Sequence, residues 1–189
     1  PASGAWVKML PRLLNAAQMA QEKWDPGERI PALKRAVEKA KKGDMGSCWK
    51  ESEKLLKKFA EDEESLAAIE AFRADFTANA GKCDTRVENW VSRGMYFVAS
   101  EYLGRQVKVY RGAPMASAWN EKVRGWRKDK VVKKLISLDE RRMKATLLME
   151  EGERDKAVKV LRPLRKDAAG TQLEALVEET FERATMMPG

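Results

Sequence analysis

The residues of this chain that are best suited to bind a partner lie in one basic segment, 104–134. Its ten lysine and arginine residues are opposed only by Glu121 and Asp129, so its formal charge is +8, which equals that of the whole 189-residue chain. Such a segment steers acidic proteins, RNA or anionic lipid towards itself at long range. The basic residues are Arg105, Lys108, Arg111, Lys122, Arg124, Arg127, Lys128, Lys130, Lys133 and Lys134. We take the first seven as candidate partner-binding residues.

Three aromatic residues, Tyr110, Trp119 and Trp126, lie within this basic segment. Basic side chains with interleaved aromatic rings can bind single-stranded nucleic acid, because the rings stack on its bases. However, both tryptophans share a helical stripe with Met115 and Val123, and such a stripe is typical of a buried core. We therefore expect a solvated basic face over a core, and nucleic-acid binding is the alternative.

The chain contains no histidine, which removes the commonest general base and the commonest zinc ligand. Two cysteines alone cannot close an ordinary four-ligand zinc site, and the sequence has no Walker A, Cys-x-x-Cys or G-x-G-x-x-G motif. Glutamate and lysine are abundant, but their usual place is a solvated helix face. We expect no catalytic activity, cofactor or metal, and an enzyme that uses carboxylates or lysines is the least favoured hypothesis.

Apolar residues recur at spacings of three and four along the chain, which predicts helices throughout. One break is predicted at 81–84, with Asp84 as the N-cap of the next helix, and Ser137 with Glu140 indicates a capping box. No stretch alternates like a strand, and no run reaches the roughly 18 apolar residues of a membrane span. The predicted helices span about 31–42, 47–59, 63–78, 84–93, 96–110, 115–126, 137–151, 155–166 and 173–181. The predicted fold class is all-α.

The two cysteines can be placed on this helical pattern. Cys48 lies at the start of one predicted helix and Cys83 just past the end of the next, so an antiparallel hairpin would bring both to the same end. A disulfide requires their Cα atoms to approach within about 7 Å, and it would act as a staple in an oxidising compartment. Alternatively, a reduced Cys48 packs as readily as alanine. Both expectations stay open.

A glycine-led segment occurs three times. The segment from Gly94 to Leu103 recurs 58 residues later, from Gly152 to Leu161, and a fainter copy begins 51 residues upstream at Gly43. In each copy glycine permits a sharp turn between helices, and a small residue five positions later permits close helix packing. The full set of repeat positions is Gly43, Cys48, Gly94, Tyr96, Ala99, Leu103, Gly152, Ala157 and Leu161.

This pattern resembles the inter-helix turn of tetratricopeptide repeats, which places Gly, Tyr, Ala and a large apolar residue at these spacings. The copy at Gly94 matches fully, the copy at Gly152 has Arg154 in place of the aromatic residue, and the copy at Gly43 has Ser52 in place of leucine. The offsets of 51 and 58 exceed the 34 residues of a standard repeat by about one helix. The chain also looks similar to the helical extensions that follow thioredoxin-like domains in some bacterial envelope proteins.

The resemblance implies a short array of stacked antiparallel hairpins with about eight to ten helices. We expect a single domain, 1–189, with an N-terminal capping helix in 1–26 and repeat units at roughly 31–80, 84–130 and 137–187. The alternative is a generic helical bundle with coincidental glycine turns. Helical arrays usually serve as binding surfaces.

Three hypotheses of function follow. The leading one is a non-catalytic scaffold or interaction module that binds an acidic surface or peptide of another protein or subunit. The second is a nucleic-acid-binding protein that uses the stripe 104–134, and the third is the enzyme named above. The start at Pro1 without methionine, a Cys48–Cys83 disulfide if one forms, and the envelope-protein resemblance slightly favour an exported or periplasmic setting over a cytoplasmic one. The absence of a visible signal peptide favours the cytoplasm or reflects its removal.

Overall fold

Eight α-helices make up most of the chain in a computed structural model that describes residues 24–27 and 29–186. This part of the chain contains no strand, which confirms the predicted all-α array of eight to ten helices. A single 3-10 turn, Pro31–Leu33, leads into the first helix. The helices are α1 (Lys34–Lys41), α2 (Met45–Lys58), α3 (Glu63–Ser92), α4 (Tyr96–Val109), α5 (Pro114–Lys128), α6 (Lys130–Glu150), α7 (Arg154–Ala168) and α8 (Glu174–Met186).

The contacts group the described residues into two compact units. Unit A comprises 24–27, 29–87 and 103–124, and unit B comprises 88–102 and 125–186. The predicted repeat limits at 31–80, 84–130 and 137–187 stay a prediction. Of the predicted capping helix in 1–26, only the last three residues are described, and these have no regular secondary structure. No helix of the described chain has the length and apolar composition needed to cross a membrane.

The three glycine-led turns share one backbone geometry. Gly43, Gly94 and Gly152 have φ angles of 78°, 76° and 78°, a region that favours glycine. In each turn the glycine N–H donates to the carbonyl three residues earlier, and the next N–H donates to the carbonyl five residues earlier. This is the Schellman motif, which satisfies the last carbonyls of a helix. The predicted helix ends at these glycines are thus confirmed.

The residues predicted to pack beside each turn are buried. Cys48, Ala99 and Ala157 are each 0% exposed, as are Leu103 and Leu161. Ser52, which stands where the other two copies have leucine, is buried too, with 1% of its surface exposed. A buried hydroxyl requires hydrogen-bond partners. The first copy of the turn therefore keeps the geometry of the others but carries a polar group in its packing.

The core of unit A forms around one face of α3. Its buried residues are spaced by three and four, as expected for a helical stripe: Ile69, Phe72, Phe76, Ala80, Cys83 and Val87. The ring of Phe76 lies 5.3 to 5.6 Å from the rings of Trp24, Trp49 and Tyr110. The contacts with Trp24 and Tyr110 are edge-to-face, an arrangement that adds to the energy of burial.

The core of unit B is built by α6, α7 and α8, which pack side by side. A buried carboxylate joins it to the start of α4. Asp139 on α6 is 0% exposed, and its Oδ2 accepts hydrogen bonds from the N–H groups of Phe97 (3.1 Å) and Val98 (3.3 Å). The residue at the N-cap position of α4, Met95, has no side-chain acceptor, so Asp139 supplies the cap from another helix.

The other oxygen of Asp139 is paired with a buried cation. Its Oδ1 accepts hydrogen bonds from Nε and Nη2 of Arg142, at 3.0 and 2.8 Å, and Arg142 is only 6% exposed. Burial raises the pKa of the Asp139 carboxyl, and Arg142 with the two backbone N–H groups counteracts this shift. Both members of the pair are therefore held by the fold.

The predicted break at 81–84 is wrong, because α3 is one continuous helix of 30 residues that includes these positions. Gly81 lacks a left-handed φ angle, and a glycine inside a helix costs only about 1 kcal/mol. The buried stripe of α3 outweighs that cost. Asp84 is consequently not an N-cap, since its Oδ1 accepts a hydrogen bond from Nε1 of Trp119 at 2.9 Å.

The helix start predicted at Ser137 is also wrong. Helix α6 begins at Lys130, and Asp129 is its N-cap, with Oδ1 accepting from the N–H groups of Val131 and Val132 at 2.8 and 3.0 Å. Ser137 lies inside the helix. An aspartate in extended backbone can start a helix without a glutamate three residues later, so the capping-box pattern identified the wrong start.

Candidate functional site

A groove in unit A combines an aromatic side chain with a basic one. It has a volume of about 480 Å³ and is lined by residues of α2, of α5 and of the end and following turn of α4. We call it the Trp49 groove. Residues that line it include Trp49, Glu53, Arg111, Pro114, Ser117 and Asn120. Aromatic residues and arginine are the types that contribute most binding energy at protein interfaces.

The indole of Trp49 is fixed in place by a stacked cation. The guanidinium carbon of Arg73, on α3, lies 3.6 Å from the centroid of the Trp49 ring, within the range of a cation–π contact. Phe76 contacts the same indole at 5.3 Å between ring centroids. A half-buried tryptophan that is held in this way loses little freedom when a ligand binds.

Ser52 is the residue that holds the cation over the ring. Its hydroxyl donates to the carbonyl of Trp49 at 2.7 Å and accepts from Nη1 of Arg73 at 3.1 Å. The repeat pattern has leucine at this position in its other two copies. The departure from the repeat therefore has a physical role, since a hydroxyl can anchor the arginine and leucine cannot.

Helix α2 makes a close backbone contact with the turn after α4, whose residues Arg111 and Gly112 line the groove. A Cβ atom built on Gly46 would lie only 3.0 Å from the carbonyl carbon and the nitrogen of Arg111, and nearer still to the carbonyl oxygen. Only glycine permits this approach. The turn itself contains Gly112, with φ of 94°, and Lys50 of α2 lies against it.

Arg111 is the basic residue among those that line the groove. Burial lowers the pKa of the Arg73 guanidinium, and the nearby Glu53 carboxylate counteracts this shift. Arg111 is exposed, and it belongs to none of the ion pairs found within the described chain. A carboxylate in the groove could therefore pair with Arg111 through a charge-assisted hydrogen bond.

The seven predicted partner-binding residues are distributed over both units, and only one of them lines the Trp49 groove. Arg105 is half-buried, and the other six are exposed. Arg111 is the residue at the groove. Residues up to Arg124 belong to unit A, whereas Arg127 and Lys128 belong to unit B. The sequence pattern identified the basic segment but not Trp49, Ser52 or Arg73.

Two of the three aromatic residues of the basic segment, Tyr110 and Trp119, are buried in the core, and for Trp119 this confirms the helical stripe. Tyr110 and Trp119 are 4% and 2% exposed, and their rings meet edge to face at 5.2 Å. Tyr110 also accepts a hydrogen bond from Asn79, and burial raises its pKa. Trp126 is half-buried and packs against Tyr96. None of the three is an exposed platform on which bases could stack.

Both cysteines are buried in unit A as thiols. Cys83 lies inside α3 and not past a helix end, so the hairpin geometry proposed for a disulfide is wrong in that respect. Burial, with a smaller contribution from Asp44, raises the pKa of Cys48 to about 12. The thiolate is the reactive form of cysteine, so Cys48 is held in its unreactive form at neutral pH.

We expect iodoacetamide at neutral pH to leave the folded protein unmodified and to add two groups after unfolding in guanidinium without reductant. Burial slows the reaction of both thiols, and at Cys48 the thiolate fraction is negligible as well. Intact-mass spectrometry measures the adducts. A chain that takes up no group even when unfolded would contain the disulfide, which contradicts this prediction.

Comparisons with known proteins found no match: no protein-family model fits the chain, and no curated protein or solved structure is significantly similar to it.

Proposed function

We propose that this protein is a non-catalytic interaction module that binds an acidic segment of another protein in the Trp49 groove. The observation that carries the proposal is the fixed indole of Trp49 beside the available guanidinium of Arg111. The first offers a rigid apolar surface, and the second offers a directional partner for a carboxylate. A ligand segment with an apolar side chain next to a glutamate or aspartate would use both.

We also propose that the fold is a tetratricopeptide-like array whose units each carry a surplus helix. Three turns with the same Schellman hydrogen bonds, each followed by a buried small residue, support this proposal. Such arrays commonly present grooves to partner segments. The position at which the pattern departs most, Ser52, is the one that supports the Trp49 groove.

Nucleic-acid binding through the stripe 104–134 is the alternative, and the burial of its aromatic residues weighs against it. Without stacking, binding would depend on phosphate contacts alone and would weaken steeply with salt. The observations favour a protein ligand, since Trp49 and Arg111 lie together in a groove.

The proposal is tested by selecting peptides from a random display library on the folded protein. We expect the enriched peptides to be acidic and to contain a large apolar residue. Fluorescence anisotropy with the best peptide should show that Arg111→Glu or Trp49→Ala weakens binding by at least about 30-fold, which corresponds to about 2 kcal/mol.

The matched control is Arg124→Glu, which makes the same charge change at another exposed residue of unit A. It should weaken binding by less than about threefold, because it alters only long-range attraction. If Arg111→Glu and Arg124→Glu weakened peptide binding equally, binding would depend on overall charge, and the Trp49 groove would not be the site. Binding of labelled single-stranded RNA with a steep salt dependence, and no enriched peptide, would favour the nucleic-acid alternative.

A further inference from the structure

A second groove with basic and apolar walls lies in unit B. It has a volume of about 460 Å³ and is formed by the first turns of α6 and by the turn between α7 and α8. We call it the Lys134 groove. Its lining includes Lys130, Val131, Lys134, Leu135, Thr171 and Gln172. It shares no residue with the Trp49 groove.

The helical wall of this groove carries two parallel rows of side chains. Lys130 and Lys134 are four residues apart, as are Val131 and Leu135, so each pair lies on one side of the helix. Leu135 is buried at 6%, whereas Val131 is 70% exposed. Val131 therefore offers exposed apolar surface next to the buried Leu135, and a ligand side chain that covered it would gain the free energy of burial.

The opposite wall is held rigid by its own hydrogen bonds. The Thr171 hydroxyl donates to the carbonyl of Ala168 at 2.6 Å and accepts from the N–H of Leu173 at 3.3 Å. The backbone of Gln172 also packs closely against Gly94. A Cβ atom built on Gly94 would lie 3.2 Å from the carbonyl carbon of Gln172. A wall fixed in this way is preorganised, which lowers the entropic cost of binding.

The acidic groups next to this groove are already engaged, and the lysines are not. Asp129 caps α6, and Glu174 accepts a hydrogen bond from the N–H of Gly170 at 2.7 Å. In the described part of the chain, Lys130 and Lys134 take part in no ion pair. The lining of the groove itself contains these two lysines and no carboxylate, so it can accept the carboxylates of a ligand.

We propose that the Lys134 groove is a second docking site, which binds an acidic amphipathic segment of a partner protein. One large apolar side chain of that segment packs on Val131 and Leu135, and its flanking carboxylates pair with Lys130 and Lys134. The charge and apolar rows of the groove are complementary to such a segment. A bilayer surface is a poorer fit, because Leu135 lies on the floor of a groove that a flat surface does not reach.

The test uses the 189-residue chain with the Arg111→Glu substitution, which disables the Trp49 groove so that binding at the Lys134 groove is measured by itself. Peptides selected on it from a random display library should be acidic with at least one large apolar residue. Lys134→Glu should then weaken binding of the best peptide about tenfold. Val131→Ser should weaken it about fivefold, since it removes apolar contact.

Lys133→Glu is the matched control, since Lys133 is an exposed neighbour on α6 that does not line the groove. It should change affinity by less than about threefold. The proposal fails if no peptide distinguishes Lys134→Glu from Lys133→Glu. It also fails if the protein instead binds phosphatidylcholine–phosphatidylserine vesicles, mixed at about 3:1, in a manner that depends on Lys134.

Discussion

Asp139→Ala is expected to lower the free energy of unfolding by about 3 to 5 kcal/mol. The substitution leaves Arg142 as a buried cation without its partner, at 6% exposure. It also removes the acceptor of the N–H groups of Phe97 and Val98, the first turn of α4. Loss of a helix cap alone costs about 1 kcal/mol, so the buried cation accounts for most of the effect.

Urea denaturation followed by circular dichroism measures this change, and the chain supplies a matched control. Arg141 is adjacent to Arg142 but forms an exposed ion pair with Asp167 at 2.6 Å. Arg141→Ala should therefore cost less than about 1 kcal/mol, whereas Arg142→Ala should approach the cost of Asp139→Ala. Similar small losses for all three variants would show that the buried pair does not stabilise the fold.

Gly46→Ala is expected to destabilise the protein by about 3 kcal/mol, although alanine is the better helix former. The added Cβ would meet the backbone of Arg111 at 3.0 Å or less. A backbone cannot yield as a flexible side chain does, so α2 and the turn at Arg111 must move apart. The movement would also displace Trp49 from Arg111, and peptide binding at the Trp49 groove should fall with stability.

Gly81→Ala is the control, because it makes the same change inside another helix of unit A. A Cβ at Gly81 would have no neighbouring atom within 4 Å, so this variant should gain about 0.5 to 1 kcal/mol from helix propensity. Thermal unfolding of both variants gives the comparison. If both gained stability, the close approach at Gly46 would not constrain the fold.

The helix ends at glycines were predictable from the sequence, because their cause is local. At Gly43, Gly94 and Gly152 the turn needs a left-handed φ angle, and glycine adopts it without steric cost. The apolar stripe around Trp119 was predictable for a similar reason, since helical spacing identifies a buried face. Reading glycine as a helix breaker gave the wrong prediction at Gly81, because tertiary packing of the buried stripe keeps α3 continuous there.

The candidate site could not be predicted, because its partners are distant in sequence. Arg73 lies 21 residues from Ser52, and no periodicity links them. Asp139 likewise caps a helix that begins 43 residues earlier in the chain, so only the fold brings the carboxylate to the N–H groups. One signal was present: Ser52 stands at a position where the repeat places leucine, and a polar residue at a buried position needs partners.

The shared geometry of the three turns determines which segments of the chain could be exchanged in chimeras. At Gly43 and Gly152 an added Cβ would have no neighbour within 4 Å, so these turns close through their own hydrogen bonds and could replace one another. The turn at Gly94 packs against Leu173. The N-terminus of the following helix, α4, is capped by Asp139, which lies on α6. This turn would function elsewhere only if transplanted together with both α6 and the segment that contains Leu173.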